Sequence, residues 1–468
     1  MHLRRLLLPS WGLCLLLLFG NCTSPISDRP NILLINIDDM GWRDLSIQGS
    51  QYYETPHLDS LARHGMIFTN GYAAAANCAP SRASLMTGLW TTRHGIYTVG
   101  SSERGASKDR RLIPTKNITR LDERFVTVAE VLQDAGYATC QAGKWHLSKD
   151  PKPYGFDLSI GGGHNGHPSS YYPPYGNVDL LPPNEEYLTD FIMTRTLTFI
   201  DSVSRPFFLY YSPYAVHTPI QPVHQLLPKY ENKSSWNGQA NADYATMVEN
   251  LDRNIGRLIA RLEATGQMDN TLIIFTSDNG GLFGITQQKP LRAGKGSYYE
   301  GGIRVPFFFH WAGRIAVGAR SNEPMTHLDL FPTILDAADI VDFQQELDGV
   351  NLLPHLLGES EIAERTLFWH FPIYLQAYNP RQNENRDLLF RTRPGAVIMK
   401  GMWKLHYYFE DRGIELYDLS QDIGEQHNLA DTEPAQREEL LAILRDWWSD
   451  AEAPIPAEPN PDFIPQER

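Results

Sequence analysis

Polar side chains follow three separate apolar runs of this 468-residue chain. Asp38 and Asp39 come after the first run, His217 after the second, and Asp278 and Asn279 after the third. Carboxylate and amide oxygens together suit a hard divalent cation such as Ca²⁺ or Mg²⁺. The same residue types also have ordinary structural uses, since aspartates cap helices and Asp-Asn-Gly-Gly forms turns. A cation site therefore requires that the fold bring the three places together.

Basic residues and histidines lie in loops that glycine or proline marks. Each of them alone is more often a solvated or hydrogen-bonded polar group than a catalytic one. Together with a cation they describe a pocket for a tetrahedral oxyanion, with positive charge around its oxygens and histidines able to exchange protons near neutral pH. The candidates are Arg82, Lys144, His146, His217 and Lys295. This set still needs a nucleophile.

Cys78 stands in the stretch Asn77-Cys78-Ala79-Pro80-Ser81-Arg82 and is one of four cysteines. The ordinary roles of such a residue are packing, a disulfide, a metal ligand or a thiolate nucleophile. Two of the four, Cys14 and Cys22, lie at the N-terminus, which leaves too few for a disulfide framework or a zinc site. A single bridge between Cys78 and Cys140 remains open, although Cys140 is expected to pack as a small apolar group.

The segment from Cys78 to Gly88 resembles the signature of type I sulfatases, the arylsulfatase-like members of the alkaline phosphatase superfamily. That signature is Cys, any residue, Pro, any residue, Arg, followed by Thr-Gly, and all of it is present here. Residues 36–41, 143–147, 276–280 and 294–296 look like further sulfatase blocks in the expected order. The resemblance implies that a maturation enzyme oxidises Cys78 to formylglycine before the chain folds. It also implies a single Ca²⁺, or less characteristically Mg²⁺, whose ligands would be Asp38, Asp39, Asp278, Asn279 and the matured residue 78.

The resemblance implies a role for each basic residue as well. Arg82 and Lys144 would orient the aldehyde hydrate, one hydroxyl of which attacks sulfur and gives a covalent sulfo-enzyme. Lys295 and His217 would bind sulfate oxygens and protonate the departing alcohol. His146 would take the proton from the second hydroxyl, so that the aldehyde forms again and sulfate is expelled. A serine ester would lack this second hydroxyl and would need an incoming water instead.

The elements that must position these residues are predicted to form an α/β fold with a large, mostly parallel sheet flanked by helices. Residues 31–37, 206–211 and 271–276 are short continuous apolar runs, typical of strands buried on both faces. Helical patterns over 56–64, 127–135 and 243–262 alternate with them. In open α/β sheets the ligand lies beyond the carboxyl ends of the strands, so the three polar clusters are expected to meet in one crevice.

The pattern of apolar residues changes near Arg365. Shorter alternating runs at 366–370, 395–399, 403–408 and 415–417, with a helix at 434–448, predict a small antiparallel α+β subdomain with one covering helix. We therefore expect a catalytic domain over 28–360, a C-terminal subdomain over 361–453 and a loose Pro-rich tail over 454–468.

The N-terminus has the layout of a secretory signal over residues 1–22, with two arginines before an apolar run from Leu6 to Phe19. Gly20-Asn21-Cys22 loosely resembles a lipoprotein cleavage box, and simple cleavage nearby is the alternative. The protein is expected to be exported, to the periplasm or the cell surface, and to contact a membrane only through a lipid on Cys22. A net charge of −14 argues against nucleic acid as a partner.

Export and a sulfatase-like site predict a sulfated polysaccharide or its oligosaccharides as the substrate. The Gly-, His- and Tyr-rich stretch 161–175 is a candidate surface for stacking sugar rings, or else a loop without function. The specificity candidates are His164, His167, Arg391 and Arg393. Two other functions remain open: a formylglycine-dependent phosphonate or phosphodiester hydrolase, and a non-catalytic glycan-binding lipoprotein in which Cys78 is never oxidised.

Overall fold

A computed structural model describes residues 29–182, 184–379 and 384–465. The expected signal segment and Cys22 lie outside these residues. The strands are β1 (Asn31–Ile37), β2 (Met66–Phe68), β3 (Gly71–Tyr72), β4 (Ala138–Gly143), β5 (Leu158–Ile160), β6 (Phe207–Ser212), β7 (Thr271–Ser277), β8 (Phe308–His310), β9 (Ala319–Ser321), β10 (Met325–Thr326), β11 (Thr366–Phe371), β12 (Leu375–Gln376), β13 (Phe390–Thr392), β14 (Gly395–Lys400), β15 (Trp403–Tyr408) and β16 (Ile414–Asp418). The α-helices are α1 (Pro56–Arg63), α2 (Cys78–Thr87), α3 (Thr91–His94), α4 (Val128–Asp134), α5 (Leu188–Ser202), α6 (Leu227–Glu231), α7 (Ala242–Ala264), α8 (Glu300–Ile303), α9 (Leu330–Ala337), α10 (Leu353–Leu356) and α11 (Pro434–Asp450).

The main sheet has eight strands in the order β5-β4-β6-β1-β7-β8-β2-β9. The first five of these run parallel to one another, and β8 runs antiparallel to both of its neighbours. Strand β1 lies at the centre, where Ile35 pairs with Tyr211 on one side and Phe275 on the other. The prediction of a large, mostly parallel sheet is confirmed.

Both faces of β1 are covered, which explains why its sequence is apolar without alternation. Leu33, Ile35 and Ile37 belong to one core cluster, which also contains the buried faces of α5 and α7. Ile32 and Leu34 belong to a second cluster, on the side of α2, α4 and α9. Helix α4 begins at Val128, one residue after its predicted start, with Thr127 as the N-cap in a capping box with Glu130.

The C-terminal part is a four-stranded antiparallel sheet in the order β11-β14-β15-β16, with α11 packed on it. Leu440, Leu444 and Trp447 of the helix share a core with Ile398 and Leu405 of the sheet. The predicted antiparallel sheet with one covering helix is therefore present. Among the described helices, not one is long and apolar enough to cross a membrane.

The Pro-rich stretch after residue 454 is not loose where the structure describes it. The backbone N–H of Asn460 donates to Arg111 O at 2.9 Å, and that of Ile464 donates to Lys108 O at 2.9 Å. The Asn460 side chain adds a bond to Ser107 O at 2.8 Å. Composition alone predicted a tail, but these backbone bonds hold the segment against residues 107–111.

Candidate active site

The carboxyl ends of β1, β6 and β7 meet in one buried crevice, as their order in the sheet requires. The backbone N–H of Asp278 donates to Ile37 O at 2.9 Å, and that of Val216 donates to Asp38 O at 3.0 Å. Asp39 turns the chain away from the strand with a left-handed φ of 62°. Because of this turn, the carboxylates of Asp38 and Asp39 do not point to opposite faces of the sheet but enter the same crevice.

The crevice brings together a group of candidate ligand atoms. The side chains of Asp38, Asp39, Cys78 and His217 each offer a ligand atom, and these atoms lie within 4.8 Å of one another. Asn279 donates from Nδ2 to Asp39 Oδ1 at 2.8 Å, and its Oδ1 is buried without a hydrogen-bond partner among the described residues. An unpartnered amide oxygen beside buried carboxylates fits a hard divalent cation, since such an ion takes oxygen ligands.

Asp278, the remaining predicted ligand, is held on one side by arginine. Its Oδ2 accepts from Arg82 Nε at 2.8 Å and lies 2.8 Å from Arg82 Nη2, while Oδ1 accepts from the Asp39 N–H at 3.2 Å. The residues predicted to bind the ion thus lie together, and the geometry adds His217 to the group that faces it.

Cys78 opens helix α2, next to the carboxylates. Its Sγ lies 3.6 Å from Asp38 Oδ1 and 3.9 Å from Asp39 Oδ1. Burial and the negative charge of Asp278 raise the pKa of the Cys78 thiol to about 12. A thiol with this pKa is protonated at neutral pH, so it is a poor nucleophile as it stands. Cys78 and Cys140 are both free, so the bridge that the sequence left open is absent.

Arg82 lies one helical turn after Cys78 and is fully buried. Its Nη1 donates to Tyr210 Oη at 3.1 Å, to Lys144 O at 3.1 Å and to Ser212 Oγ. These contacts fix the guanidinium beneath the crevice, where its charge is matched by Asp278.

Each lysine of the site forms an ion pair with one of the two adjacent aspartates. Lys144 Nζ donates to both oxygens of Asp38, at 2.9 and 2.8 Å. Lys295 Nζ donates to Asp39 Oδ2 at 2.8 Å, and His217 Nε2 lies 3.5 Å from the same oxygen. Burial opposes the protonation of Lys295, but Asp39 outweighs it, and the pKa of the amine is raised well above its usual value.

The two catalytic histidine candidates differ from the lysines in that they are held neutral. Burial and the charge of Lys295 lower the pKa of His217 to about 4. Burial and Lys144 lower the pKa of His146 well below its usual value. His146 Nδ1 is buried and has no hydrogen-bond partner within the described part of the chain. A neutral imidazole with an unpartnered nitrogen can accept a proton.

Gly143 is required for the position of these residues. It has a φ of 109°, and a Cβ added to it would lie 2.0 Å from Ser212 O. This close approach lets the Lys144 N–H donate to that same oxygen at 2.6 Å. Any larger residue would push Lys144 away from Asp38.

The loop at 161–175 contributes histidines to the crevice but not its tyrosines. The His164 ring lies 6.4 Å from that of His146, and the His167 ring lies parallel to that of His217 at 5.9 Å. Tyr171 is buried instead, and its Oη donates to His217 O at 2.8 Å. Tyr171 and Tyr175 are therefore not available to stack sugar rings, because both are buried and hold the loop from inside.

The two arginine candidates of the C-terminal part have different surroundings. Arg391 Nη1 donates to Lys295 O at 3.1 Å, which places it at the mouth of the site. Arg393 lies 2.6 Å from Asp387 and 2.7 Å from Glu410 in two ion pairs. The structure thus brings Arg391 to the site and uses Arg393 to stabilise its own loop.

The residues that support the candidate catalytic groups from below were not predicted from the sequence. Tyr210 and Ser212 lie on one face of β6 and bind Arg82. His327 bridges Ser81 Oγ and Thr276 Oγ1, at 3.0 Å each, and so joins helix α2 to the end of β7. A polar residue at every second position near the end of a buried strand was the available signal for Tyr210 and Ser212.

Comparison with known proteins decides the family. A family model described as Sulfatase matches residues 30–340, which is more than half of the chain. The chain belongs to the sulfatase family. A second model, described as N-sulphoglucosamine sulphohydrolase, C-terminal, matches residues 294–447. This sulfatase is a sulfuric ester hydrolase with an alkaline phosphatase-like fold.

Its relatives cover nearly the whole chain. A protein named Sulfatase from Formosa agariphila is 34% identical, in an alignment that covers 94% of this chain and 94% of its own. The N-acetylgalactosamine-6-sulfatase of Homo sapiens is 30% identical and covers 94% of this chain and 89% of its own. Among solved structures, Ps i-CgsB in complex with k-i-k-neocarrahexaose is 29% identical, with a TM-score of 0.74 and coverage of 91% of this chain and 94% of that one.

Proposed function

We propose that this sulfatase is exported and hydrolyses sulfate esters of polysaccharides or their oligosaccharides, with Cys78 matured to formylglycine and one Ca²⁺ in the crevice. The observation that carries the proposal is the position of Cys78: its sulfur lies 3.6 and 3.9 Å from two carboxylates, and its thiol pKa is about 12. A protonated thiol at the centre of the site is of little use for nucleophilic attack. An aldehyde hydrate at the same place supplies a hydroxyl for it.

The residues for the ion are Asp38, Asp39, Asp278 and Asn279, together with the matured residue 78. Bound Ca²⁺ would polarise a sulfate oxygen and favour ionisation of the attacking hydroxyl. The formal charges support a divalent ion. Three carboxylates of the crevice are balanced by three basic side chains, Arg82, Lys144 and Lys295. A divalent cation would make the crevice positive, which suits an anionic ester.

The basic residues and histidines of the crevice have different roles in this reaction. Arg82 is fixed by four neighbours and holds Asp278 in place, so its role is to position the ligand set. Lys144 and Lys295 are the charged donors beside residue 78, and either can release its aspartate to bind a sulfate oxygen. Lys295 is protonated and next to His217, which makes this pair the donor of a proton to the departing alcohol. His146 is neutral and accepts the proton on the other side.

The substrate class is supported by relatives and by the site. One relative bears the name N-acetylgalactosamine-6-sulfatase, and one similar structure holds a neocarrahexaose. Small aryl sulfates would then be adventitious substrates. Export rests on the sequence of residues 1–22, and the maturation enzyme is the partner that the formylglycine requires. The non-catalytic alternative loses its basis, because the chain belongs to a family of hydrolases.

The decisive experiment is mass spectrometry of the tryptic peptide His64–Arg82 from protein purified from its own host, after labelling with an aldehyde-reactive hydrazide. We expect Cys78 to appear as an aldehyde that captures the label. An unmodified thiol in fully active protein would refute the formylglycine. Turnover of a sulfate monoester should also exceed turnover of the matching phosphate diester and phosphonate monoester. Faster turnover of the phosphate diester or the phosphonate monoester would support a phosphonate or phosphodiester hydrolase instead.

A further inference from the structure

Arg391 differs in its partners from Arg82 and Arg393. Its Nε donates to Gln376 O at 3.0 Å and its Nη1 to Lys295 O at 3.1 Å. Both acceptors are neutral backbone oxygens. Within the described part of the chain, Arg391 forms no ion pair with a carboxylate, whereas Arg82 and Arg393 both do. A half-buried guanidinium held in place by carbonyls keeps its full positive charge available to a ligand.

The position of this guanidinium is fixed on a third side by an aromatic ring. Its Cζ lies 3.5 Å from the centre of the Tyr378 ring, which is a stacked cation–π contact. Tyr378 itself is 59% exposed, so the stacked pair lies at the surface of the crevice. Lys295, Tyr378 and Arg391 line the same pocket, together with Phe283. Arg391 therefore lies on the solvent side of Lys295, the residue that pairs with Asp39.

A second arginine approaches from a different segment. Gln376, whose carbonyl holds Arg391, also accepts at Oε1 from the backbone N–H of Gly105 at 3.0 Å. This bond brings the preceding residue, Arg104, toward Arg391. Arg104 Nη2 donates to Val99 O at 2.8 Å, again a backbone carbonyl. Burial lowers the pKa of Arg391, and the like charge of Arg104 lowers it further, against the opposite effects of Tyr378 and Asp39. A bound anion would relieve the repulsion between the two guanidinium groups.

We propose that Arg391 and Arg104 form a second anion subsite next to the sulfate-binding crevice, and that the preferred substrate carries a second anionic group near the scissile sulfate. The proposal rests on the sulfate ester hydrolysis described above and narrows its substrate class. The shared chemistry is a planar or tetrahedral oxyanion, either a sulfate or a carboxylate, on the same sugar or the adjacent one. Guanidinium groups recognise both through paired N–H donors.

The test compares three oligosaccharides that share one scissile sulfate ester. They carry in addition a second sulfate, a uronate carboxylate or no further charge. The wild-type protein is expected to prefer at least one of the two dianionic substrates in kcat/KM. In Arg391→Met and Arg104→Met that preference should fall about tenfold or more, the usual loss when a charge-assisted hydrogen bond is removed. Which preference falls identifies the anion as sulfate or carboxylate.

Arg314 provides a matched control. It lies over Trp311 in a comparable cation–π contact, with Cζ 4.9 Å from the ring centre. Arg314 follows β8, which runs antiparallel to β7. It therefore lies near the amino-terminal end of β7, at the end of the sheet opposite the site. Arg314→Met should keep the wild-type preference. Binding of the dianionic oligosaccharide to a Cys78→Ala background, measured by calorimetry, should weaken in parallel when Arg391→Met is added.

The outcomes separate the two proposals. If the wild-type protein hydrolyses the substrates but Arg391→Met lowers kcat/KM equally for all three, Arg391 only positions Lys295, and the second subsite is refuted. If the wild type shows no preference among the three, the subsite is refuted as well. If the wild type hydrolyses none of them nor any other sulfated glycan, the proposed polysaccharide substrate itself fails.

Discussion

Lys144→Met tests whether the buried aspartates hold a divalent cation. Lys144 Nζ lies 2.8 and 2.9 Å from the two oxygens of Asp38, and both side chains are fully buried. The next cation, Arg82 Nη2, is 3.8 Å from Asp38 and is already paired with Asp278. Removing one partner of such a pair leaves a buried carboxylate without compensation, at a cost of about 3–5 kcal/mol.

The expected change in melting temperature follows from the size of the chain. An unfolding entropy of about 2.1 cal/mol/K per residue gives roughly 1 kcal/mol/K here. In EDTA, Lys144→Met should therefore melt about 3–5 °C below the wild type. Saturating Ca²⁺ should restore most of this difference, because the ion supplies the positive charge that the lysine supplied and binds only the folded state.

Lys404→Met is the control for a buried lysine that has no link to the ion. Lys404 Nζ lies 2.8 Å from Glu300 and 3.0 Å from Glu425, and all three side chains are fully buried. This variant should lose a similar amount of stability, measured by differential scanning calorimetry, but Ca²⁺ should not restore it. The reasoning fails if Lys144→Met is as stable as the wild type in EDTA, or if Ca²⁺ raises the melting temperature of all three proteins equally.

Three further predictions concern residues of different roles. Cys78→Ser should release at most about one equivalent of the desulfated alcohol and then stop or turn over slowly, because its serine sulfate ester has no second hydroxyl. Sustained multiple turnover, measured as sulfate released, would contradict this. His327→Ala should lower kcat roughly tenfold by loosening helix α2 from β7, while KM changes less and His327→Gln recovers part of the rate; an equal loss in both variants would exclude the bridging role. Burial lowers the pKa of His94 to about 3, against about 6.5 in an unfolded chain. Protonation of the unfolded chain therefore lowers the free energy of unfolding as the pH falls. The contribution of His94 to that free energy is complete above pH 6.5 and falls by about 2 kcal/mol by pH 5. His94→Gln should flatten that slope in urea titrations at pH 7 and 5, and identical slopes would refute the assignment.

The strands that carry the site could be read from the sequence because their signal is local. β1 and β7 are continuous runs of branched and aromatic residues, and their predicted ranges agree with the structure to within one residue. The antiparallel direction of β8 could not be read in this way. Its three residues, Phe308–His310, carry no pattern that depends on direction, and only the path of the preceding loop decides which way they run.

The partners within the site are set by tertiary contacts that sequence spacing does not encode. Lys144 pairs with Asp38 across 106 residues, and Lys295 pairs with Asp39 across 256. Arg391 and Arg393 are two apart, so a continuous strand would place them on one face. β13 ends at Thr392, however, and Arg393 turns away to Glu410. A pattern of residue types therefore identified both arginines, and only the end of the strand separates their roles.

The balance of charge in the crevice explains how an acidic protein can act on the proposed polyanionic substrate. The chain carries a net charge of −14, which repels such a substrate at long range. At physiological ionic strength this repulsion is screened beyond about 8 Å, so the charges within that distance of the ester decide binding. The aspartates of the crevice are already paired with lysines and arginine, and Arg391 adds a charge that no described carboxylate neutralises. Attraction is therefore confined to the crevice and its mouth. Added salt should consequently weaken substrate binding less steeply than it would for a protein that binds through an exposed basic surface.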